Sequence, residues 1–441
     1  MSNIEKGLDI ANFADLNSTN SRGRLLTILE EAFNQLDPVQ LLDAGVKEIL
    51  SDTRAFRNVY VIGFGKAALK MYSGVRDKTS AVARYSAVII PAGEAVPDGY
   101  SELEVLTGNH PIPSGETQSA SRRILEPLRN LKEDDLVIVL ISGGGSALFE
   151  VPEIGFTIEM IGDTAKCLMN SGADINELNA IRQAMSSVKG GKLAKILYPA
   201  DVYGFIISDV PGDDPSVIAS GPLTRPVIGT GFLEGVVDKY RGACSLPTKE
   251  ELATHFGNID PAFFRDVTTR IILKNSDFVN LISTLISNCG EKVITLADPV
   301  IGDVVDVAKW FVEKARKQFS VSREPVWIVG GGETTAKVMG KGKGGRNCEL
   351  SLRVALNMER DEDFLFASIG TDGIDGNSPS MGGITDTYFL EGTSKGEMLN
   401  SLRISDSYTL LNRYDSAIMT GYTGTNVSDI YIMHYGGKRG N

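Results

Sequence analysis

Short runs of consecutive apolar residues, rich in valine and isoleucine, recur along the 441-residue chain. Unbroken runs of this kind are typical of strands that are buried on both faces of a parallel sheet. We therefore predict strands at Val59–Ile62, Ala87–Ile90, Leu136–Ile141, Tyr203–Ile207, Ile271–Leu273, Val293–Leu296, Val326–Val329, Phe364–Ile369 and Ile430–Met433.

Amphipathic stretches with helical periodicity lie between these runs. They predict helices at Arg24–Asn34, Thr117–Leu131, Asn275–Cys289 and Asp303–Phe319. Alternation of strands and helices along the whole chain favours an α/β fold. The sequence does not repeat with a period of about 20–50 residues, which argues against a solenoid or a propeller.

The stretch Pro222–Gly231 is the best candidate for a domain boundary, because it contains two prolines and two glycines and these residues interrupt regular structure. The length of the chain also favours more than one domain, at roughly 100–200 residues each. We predict domains at residues 1–230 and 231–441, with a few elements crossing back.

Composition narrows the class of protein. Hydrophobic residues make up 42% and charged residues 23% of the chain, which excludes a disordered or fibrous protein. The longest uncharged run, Leu136–Phe149, has 14 residues, whereas a membrane span needs about 20 apolar residues. The net charge of −12 disfavours duplex binding, which normally needs a basic surface. No nucleic acid and no membrane partner is therefore expected.

Cysteine and histidine usage narrows the chemistry. The four cysteines lie far apart and form no C-x-x-C pair, so we expect reduced thiols and a cytoplasmic enzyme rather than disulfides or a zinc site. Only three histidines exist, which nearly excludes a mechanism built on a histidine cluster. The cysteines are Cys167, Cys244, Cys289 and Cys348.

Glycine is enriched: its 47 residues are about 11% of the 441-residue chain, against a usual share of about 7%. The glycines cluster after predicted strands. Backbone amides in such turns bind anions. The first cluster, Gly63-Phe64-Gly65-Lys66-Ala67-Ala68, fits G-x-G-x-x-A. No acidic residue ends the next predicted strand, which disfavours NAD. Lys66 could meet phosphate oxygens or a substrate carboxylate; a tight turn with a solvated lysine is the alternative.

Two further clusters each contain three consecutive glycines. Ser142-Gly143-Gly144-Gly145-Ser146 has a high conformational-entropy cost, which a bound phosphate or carboxylate would justify better than a plain strand–helix turn. Gly330–Gly332 is followed by Glu333 and by a loop with four cationic residues and no acid. Such a loop suits a polyphosphate, and an exposed hairpin is the alternative. Arg346 in this loop could contact phosphate with two parallel hydrogen bonds.

Carboxylates follow two of the predicted strands. Asp372 and Asp375 alternate with glycines after Phe364–Ile369, and Asp209 and Asp213 follow Tyr203–Ile207. They could hold Mg²⁺ or accept a proton from a substrate hydroxyl. Ordinary turns and helix caps are the alternative.

Three other residues are candidates for contact with a substrate or a nucleotide. Arg182 and Lys189 are seven residues apart and could share one helical face, either supporting an anion site or forming a solvated face. His110 lies in a proline-rich loop, where it contacts substrate or has only a structural role.

Taken together, these motifs resemble the glycerate 2-kinase family, which carries a MOFRL domain at its C-terminal end. The match runs from about Val59 to Met433. The segments that carry it are GFGKA (63–67), GNHPIPSG (108–115), ISGGGSAL (141–148), LNAIRQAMSSVKGGKLA (178–194), ISDVPGDDPSVIASGP (207–222), GGETT (331–335), GKGGRN (342–347), GTDGIDG (370–376) and TGTNVSD (423–429).

The resemblance implies two α/β domains, an N-terminal Rossmann-like parallel sheet with flanking helices and a C-terminal MOFRL-type domain, with the active site in the cleft between them. It implies ATP-dependent phosphorylation of D-glycerate at its 2-hydroxyl, giving 2-phosphoglycerate and ADP, with Mg²⁺ or another divalent cation. The family's key lysine and arginine correspond to Lys66 and Arg346. The chain departs from the family pattern at Cys348, where glutamine is usual, and at Tyr422, where proline is usual.

We predict roles for the candidate residues on this basis. The predicted catalytic residues are Lys66, Arg346, Asp209 and Asp372. The predicted cofactor-binding residues are Ser142, Gly143, Gly144, Gly145, Ser146, Lys189, Glu333 and Asn347. The predicted substrate-binding residues are His110, Arg182 and Asp375, and the predicted metal ligands are Asp213 and Asp372.

Two other classes of function compete with the kinase. An NAD(P)-dependent oxidoreductase acting on hydroxypyruvate or glycerate is supported by the G-x-G-x-x-A turn alone. A non-catalytic regulator that binds a nucleotide or a sugar phosphate would not need the aspartate-rich loops. Nothing in the sequence decides the oligomeric state, and a homodimer is one option.

Overall fold

The computed structural model describes residues 8–51, 56–227, 229–257 and 259–439. Its contacts divide the chain into two compact units. The parallel-sheet unit comprises Pro38–Leu273, and the mixed-sheet unit comprises the chain up to Asp37 together with the chain from Lys274 onward.

These units differ from the predicted division near residue 230. The last strand of the first sheet ends only at Leu273 and pairs with the strand before it, so the chain stays in this unit beyond residue 230. The N-terminal segment belongs to the other unit, where buried Arg22 donates two hydrogen bonds to Asp386, at 2.8 and 2.9 Å. Ile228, inside the stretch Pro222–Gly231, lies outside the described residues.

Every predicted apolar run overlaps a strand. The strands are β1 (Asn58–Phe64), β2 (Ala83–Pro91), β3 (Glu104–Gly108), β4 (Asp135–Ile141), β5 (Asp201–Ile207), β6 (Val267–Leu273), β7 (Val293–Thr295), β8 (Val300–Asp303), β9 (Val326–Thr335), β10 (Glu362–Gly370), β11 (Gly382–Asp386), β12 (Ala417–Ile418) and β13 (Asp429–Lys438). The sequence did not predict β3, β8, β11 and β12, because these strands are short and lack an unbroken Val/Ile run.

The predicted helices are present, with shifted ends. The α-helices are α1 (Phe13–Leu16), α2 (Asn20–Gln35), α3 (Pro38–Ser51), α4 (Ala68–Thr79), α5 (Gly115–Leu125), α6 (Gly145–Leu148), α7 (Ile158–Asn170), α8 (Ile175–Met185), α9 (Lys192–Leu197), α10 (Thr230–Tyr240), α11 (Lys249–Thr254), α12 (Asn275–Asn288), α13 (Val304–Ser322), α14 (Arg346–Asn357), α15 (Thr387–Gly392), α16 (Lys395–Arg403) and α17 (Ser407–Arg413). Helix α5 stops at Leu125, before the predicted end at Leu131, because Pro127 cannot continue an α-helix.

The described part of the parallel-sheet unit contains a six-stranded sheet in the order β3-β2-β1-β4-β5-β6. All neighbouring strands in it are parallel. This is the Rossmann order, in which the strand sequence reverses between β1 and β4 and ligands bind beyond the carboxyl ends of these strands. Phe64 pairs with Ile141, so β1 and β4 end at the same level.

The described part of the mixed-sheet unit contains a seven-stranded sheet in the order β12-β11-β10-β13-β9-β7, with β8 beside β9. The prediction of a parallel sheet was wrong for its centre, since β13 runs antiparallel to both β9 and β10. These central strands are nevertheless buried on both faces. Their unbroken apolar runs reflect burial, which the sequence records, and not strand direction, which it does not.

The prediction of four reduced cysteines was also wrong. Cys167 in α7 and Cys244 after α10 form a disulfide, with 2.08 Å between the sulfur atoms. The two residues are 77 positions apart in sequence, so their spacing gave no sign of pairing. They meet because α7, α8 and the segment from α10 to α11 pack around one apolar cluster. Cys289 is exposed and Cys348 is buried, and both are free thiols.

No helix in the described ranges combines the length and the apolar character that crossing a membrane requires.

Candidate active site

The loops that follow β1 and β4, Gly63–Ala67 and Ser142–Ser146, bind each other at the point where the strand order reverses. We call them the strand-end loops. The Lys66 amide donates to the carbonyl oxygen of Gly143 at 2.9 Å, and the Ala67 amide donates to Ser142 Oγ at 3.0 Å. Because these two amides are bonded within the protein, they are not available to an anion.

Two glycines make this arrangement possible. A β-carbon on Gly65, whose φ is +123°, would overlap Ser142 Oγ. A β-carbon on Gly144, whose φ is +81°, would lie 3.1 Å from His110 Cδ2 and 3.4 Å from Lys66 Cγ. The fold therefore brings Lys66, His110 and Gly144 together although they are far apart in sequence.

The two serines of the second loop have different surroundings. Ser142 is fully buried and accepts the Ala67 amide, so its side chain holds the loops together. Ser146 is half-buried, and its Oγ lies 3.1 Å from Ser220 Oγ. The helix that begins at Gly145 has only four residues, so its N-terminus carries little of the helix dipole that attracts anions.

Lys189 lies in an internal ion pair. Its Nζ is 2.7 Å from Glu150 Oε2 and donates to the Phe149 carbonyl oxygen at 2.8 Å. The side chain is 1% exposed, and burial lowers the pKa of Lys189 while Glu150 opposes that shift. This placement does not support the prediction that Lys189 contacts a nucleotide.

Arg182, in the last turn of α8, has no such partner. Burial lowers the pKa of its guanidinium, and the charge of Glu150 only partly opposes this. Within the described ranges Arg182 makes no hydrogen bond and no ion pair. A largely enclosed guanidinium without a partner is a candidate receptor for a carboxylate or a phosphate.

Asp209 and Asp213 lie in the loop after β5, at the same edge of the sheet as the strand-end loops. Both are half-buried, and Asp213 has a left-handed φ of +53°. The described residues contain no group of three or more metal-ligating side chains that could hold an ion by themselves. A metal at Asp213 or Asp372 would therefore need ligands from a substrate.

The mixed-sheet unit carries what we call the arginine cluster: Arg346, Asp429, Glu333 and Asn347. Arg346 Nε and Nη2 donate to the two carboxylate oxygens of Asp429, at 2.6 and 3.0 Å. Arg346 Nη1 lies 2.9 Å from Glu333 Oε1. Burial disfavours the charge of Arg346, but Asp429, Glu333 and Asp375 outweigh it and raise the pKa of the guanidinium.

Asp429 is the functional candidate that sequence reasoning missed. It is fully buried at the start of β13, where it pairs with Gly332 of β9 and Gly370 of β10. It is the last residue of the TGTNVSD segment, and that position was the signal available. Tyr431 Oη donates to its Oδ2 at 3.2 Å, so the carboxylate that fixes Arg346 is itself fixed.

Asp375 and Asn347 support the helix that begins with Arg346. The Asp375 carboxylate accepts the amides of Asn347 and Cys348, at 3.0 and 2.8 Å. Asp375 is 2% and Asn347 is 1% exposed, so neither is placed to meet a ligand as predicted. Burial, with a contribution from Asp429, raises the pKa of Asp375 to about 6, although the two amide hydrogen bonds oppose this.

Asp372 lies beside this cluster. It is half-buried, and its Oδ1 accepts the Ile374 amide at 3.3 Å. A β-carbon on Gly370 would lie 3.3 Å from Asn347 Nδ2, 3.4 Å from Asp372 Oδ1 and 3.6 Å from Asp429 Oδ1. Three polar side chains thus surround one glycine at the end of β10.

Gly330–Gly332 do not form a loop. They lie within β9, where a β-carbon on Gly332 would overlap the Val300 carbonyl oxygen. The cationic segment that follows is exposed at Lys337, Lys341 and Lys343. It is not a free hairpin, since the Lys343 amide donates to Asp406 Oδ1 at 2.8 Å.

Of the two departures from the family pattern, Cys348 contacts a charged candidate residue through its amide, which donates to Asp375 at 2.8 Å. Cys348 is fully buried in α14, with its Sγ 3.3 Å from Ser380 Oγ, and burial raises the pKa of its thiol. Tyr422 is 51% exposed.

A parallel sheet in Rossmann order in one unit and a mixed sheet in the other define a two-domain α/β protein. The model of a domain of unknown function, DUF4147, matches residues 24–250, and the MOFRL family model matches residues 326–429. A glycerate 2-kinase of Picrophilus torridus is 43% identical over 97% of this chain and all of its own.

A crystal structure of glycerate kinase from Thermotoga maritima superposes with a TM-score of 0.77 at 30% identity, over 93% of this chain and 99% of that one. A protein of Agrobacterium vitis with the provisional name hydroxypyruvate reductase is 35% identical over 84% of this chain and 97% of its own. The chain belongs to the glycerate kinase family, as its motifs indicated.

Proposed function

We propose that this protein is an ATP-dependent glycerate 2-kinase, which transfers the γ-phosphoryl group of ATP to the 2-hydroxyl of D-glycerate and releases 2-phosphoglycerate and ADP. The observation that carries this proposal is that Arg346 is held in place by carboxylates and still has unused hydrogen-bond donors. Three of its nitrogen atoms are held by Asp429 and Glu333, and its side chain is still 35% exposed. A guanidinium has five N–H donors, so donors remain for a phosphoryl group.

Phosphoryl transfer needs positioning and neutralisation of charge more than covalent catalysis. Both substrates are anionic, whereas the chain has a net charge of −12, so cations must be concentrated locally. Lys66 of the parallel-sheet unit and Arg346 of the mixed-sheet unit are each suited to neutralise charge on a phosphoryl group. Arg182 has no partner among the described residues and is available for the carboxylate of glycerate.

Carboxylates in both units suit the remaining tasks. Mg²⁺ is usually held by one or two carboxylates together with substrate phosphates, and half-buried Asp213 and Asp372 fit that need. The ion would neutralise charge on the β- and γ-phosphates of ATP. Asp209 or Asp372 would orient the 2-hydroxyl and accept its proton. We keep a cytoplasmic location and a homodimer as parts of the proposal, the location without its original support, because Cys167 and Cys244 form a disulfide.

A two-channel assay tests the proposal. Purified protein is incubated with ATP, MgCl₂ and D-glycerate, free of phosphoglycerate mutase, and the product is detected once through enolase and once through 3-phosphoglycerate kinase. We expect a signal through enolase only, because only 2-phosphoglycerate is an enolase substrate. A signal only through 3-phosphoglycerate kinase would move the transfer to the 3-hydroxyl. No ADP in either channel would remove the kinase assignment.

The oxidoreductase is a second candidate, because one observation favours it. Glu94 follows the end of β2 by three residues, close to where Rossmann enzymes place the acid that binds ribose, although no acidic residue ends the strand itself. Against it, the amides of Lys66 and Ala67 are bonded within the protein. We expect no NADH or NADPH oxidation with hydroxypyruvate, and a steady rate would support the reductase instead.

A further inference from the structure

Two groups, each made of an arginine, a carboxylate and a tyrosine, lie beside β13 in the mixed-sheet unit. We call them the Arg346 triad (Arg346, Asp429 and Tyr431) and the Arg316 triad (Arg316, Glu362 and Tyr435). In each triad the arginine donates to both carboxylate oxygens, and the tyrosine hydroxyl donates to one of them. Both tyrosines belong to β13, and each ring makes an edge contact with a phenylalanine of α13.

The two triads lie at opposite ends of the central strands. Strands β9 and β10 run in the same direction, because β13 is antiparallel to both. Asp429 pairs with Gly370, the last residue of β10, whereas Glu362 is its first residue and Tyr435 pairs with Val326, the first residue of β9. Open α/β sheets bind ligands beyond the carboxyl ends of their strands. Only the Arg346 triad lies at that end.

The Tyr431 hydroxyl connects the two carboxylates that hold Arg346. It donates to Asp429 Oδ2 at 3.2 Å and accepts the backbone amide of Thr334 at 3.1 Å. Thr334 directly follows Glu333, whose Oε1 lies 2.9 Å from Arg346 Nη1. Burial and the charge of Asp429 raise the pKa of Tyr431, so the hydroxyl keeps its proton and remains a donor.

The exposure of these side chains separates the group that can meet a ligand from the group that supports it. Tyr431 and the side chain of Asp429 are 0% exposed, whereas the side chain of Arg346 is 35% exposed. Tyr431 therefore cannot touch a substrate. Any effect of its hydroxyl on the reaction must pass through the orientation of Arg346.

We propose that Tyr431 is a positioning residue for phosphoryl transfer: its hydroxyl fixes Asp429 and the end of β9, so that Arg346 keeps its remaining donors in one orientation. The proposal rests on the glycerate kinase function. A preorganised donor stabilises developing charge without reorganising at the moment of reaction. Tyr431 was not among the predicted site residues.

A pair of matched substitutions gives the first test, by steady-state kinetics with ATP and D-glycerate. Tyr431→Phe removes the hydroxyl and keeps the ring beside Phe311. We expect kcat to fall about tenfold, because a small misplacement of a catalytic group is costly, and the KM for D-glycerate to stay unchanged. Tyr435→Phe makes the same change in the Arg316 triad. It should lower the urea midpoint of unfolding to a similar extent and leave kcat unchanged.

A double-mutant cycle separates positioning from a loss of folded protein, which would also lower kcat. Tyr431→Phe is introduced into Arg346→Ala, at an enzyme concentration high enough to follow the slower reaction. A residue that acts only through Arg346 has nothing left to position in this background. We therefore expect the single and the double variant to turn over at the same rate. A tenfold loss in both backgrounds overturns the proposal.

The remaining outcomes are separable. Wild-type turnover in folded Tyr431→Phe, or an equal loss in Tyr435→Phe, overturns the positioning role while the kinase remains. If Tyr431→Phe does not fold, Asp429→Asn replaces it in the cycle, because it removes the charged acceptor through which Tyr431 acts; an equal loss with and without Arg346 again overturns the proposal. A wild-type protein that does not phosphorylate D-glycerate removes the proposed function, and this role with it.

Discussion

The protein has two Gly-Gly-Gly segments, identical in sequence, that lie in different structural environments. Gly143–Gly145 follows a strand and turns the chain beside two potential ligand-binding side chains, His110 and Lys66. Gly330–Gly332 lies inside β9, and the space beside it is filled by the protein itself, namely by Leu296, Asn275 and Val300. The first triplet therefore lies beside side chains that are candidates for ligand contact, whereas the second is enclosed by the protein's own packing.

The two cations predicted to be catalytic, one in each unit, differ in a parallel way. Lys66 reaches its position through a turn held by backbone hydrogen bonds, and its side chain borders Gly144. Arg346 is the first residue of α14 and is fixed by carboxylates on β13 and β9. A glycine cluster therefore indicates that something approaches the backbone closely, but only the neighbours in the fold decide whether that is a ligand or another strand.

Substitution of one glycine in each triplet by alanine is expected to give the largest changes in stability and activity. It would distinguish a glycine needed for packing from one needed beside a ligand. Gly332→Ala should lower the free energy of unfolding by about 3 kcal/mol or more, because its β-carbon meets the Val300 backbone. Gly144→Ala should lower it by only about 1–2 kcal/mol, for its left-handed φ. The Gly144 variant should instead lose about tenfold or more in kcat/KM.

Urea unfolding and steady-state kinetics on both variants check this comparison. Gly235→Ala is the control, since a β-carbon there meets nothing within 4 Å and a helical alanine should be neutral or slightly stabilising. A stable Gly332 variant with impaired kinetics would show that the second triplet also serves a ligand.

Substitution of the two cations tests the second part of the comparison. Arg346→Ala should lower kcat by about 10²–10³-fold with the fold intact, because one preorganised charge donor is removed. Arg346→Lys should recover little, because an ammonium cannot make the two parallel bonds to Asp429. Lys66→Ala should lose a similar factor.

Circular dichroism and turnover with D-glycerate measure these effects. Arg270→Ala is a suitable control, since its guanidinium binds Glu48 on the surface, at 2.7 Å. Turnover at the wild-type rate in folded Arg346→Ala would remove this residue from the mechanism.

A smaller effect, on the pH dependence of stability, distinguishes Glu94 from Asp375, two acids whose pKa values are both raised by burial. The Glu94 pKa is about 7 and its Oε2 has no hydrogen-bond partner in the described ranges, whereas Asp375 accepts two amides. A raised pKa means that the folded state binds the proton more tightly, so the contribution of Glu94 to stability falls as the pH rises from about 4.5 to 7.

Glu94→Gln should therefore stabilise the protein by about 1–2 kcal/mol at pH 8 and by little at pH 4.5. Asp375→Asn should destabilise it at pH 8 by about 1–3 kcal/mol, because an amide cannot accept from both Asn347 and Cys348. Urea unfolding at the two pH values measures both. Equal responses of the two variants would mean that the amide hydrogen bonds of Asp375 contribute nothing.

Apolar periodicity was a good guide to the elements and a poor guide to their neighbours. Runs such as Val326–Val329 and Ile430–Met433 predicted buried strands correctly, but these two strands pair antiparallel. The disulfide between Cys167 and Cys244 joins helices that only packing brings together. Asp429 was missed because a single aspartate at the start of a strand carries no local pattern.

The sequence by itself determined which segments form strands and helices, where glycine permits close approach, and to which family the chain belongs, because burial, backbone freedom and motif order are all written along the chain. Only the tertiary structure decided which polar groups meet. In the folded protein Lys189 pairs with Glu150, and Arg346 donates hydrogen bonds to Asp429. Arg182 and one oxygen of Gln183 have no hydrogen-bond partner within the described ranges. Ionic and hydrogen-bond partners depend on distances of a few ångströms between residues remote in sequence, and those distances exist only once the sheets have formed.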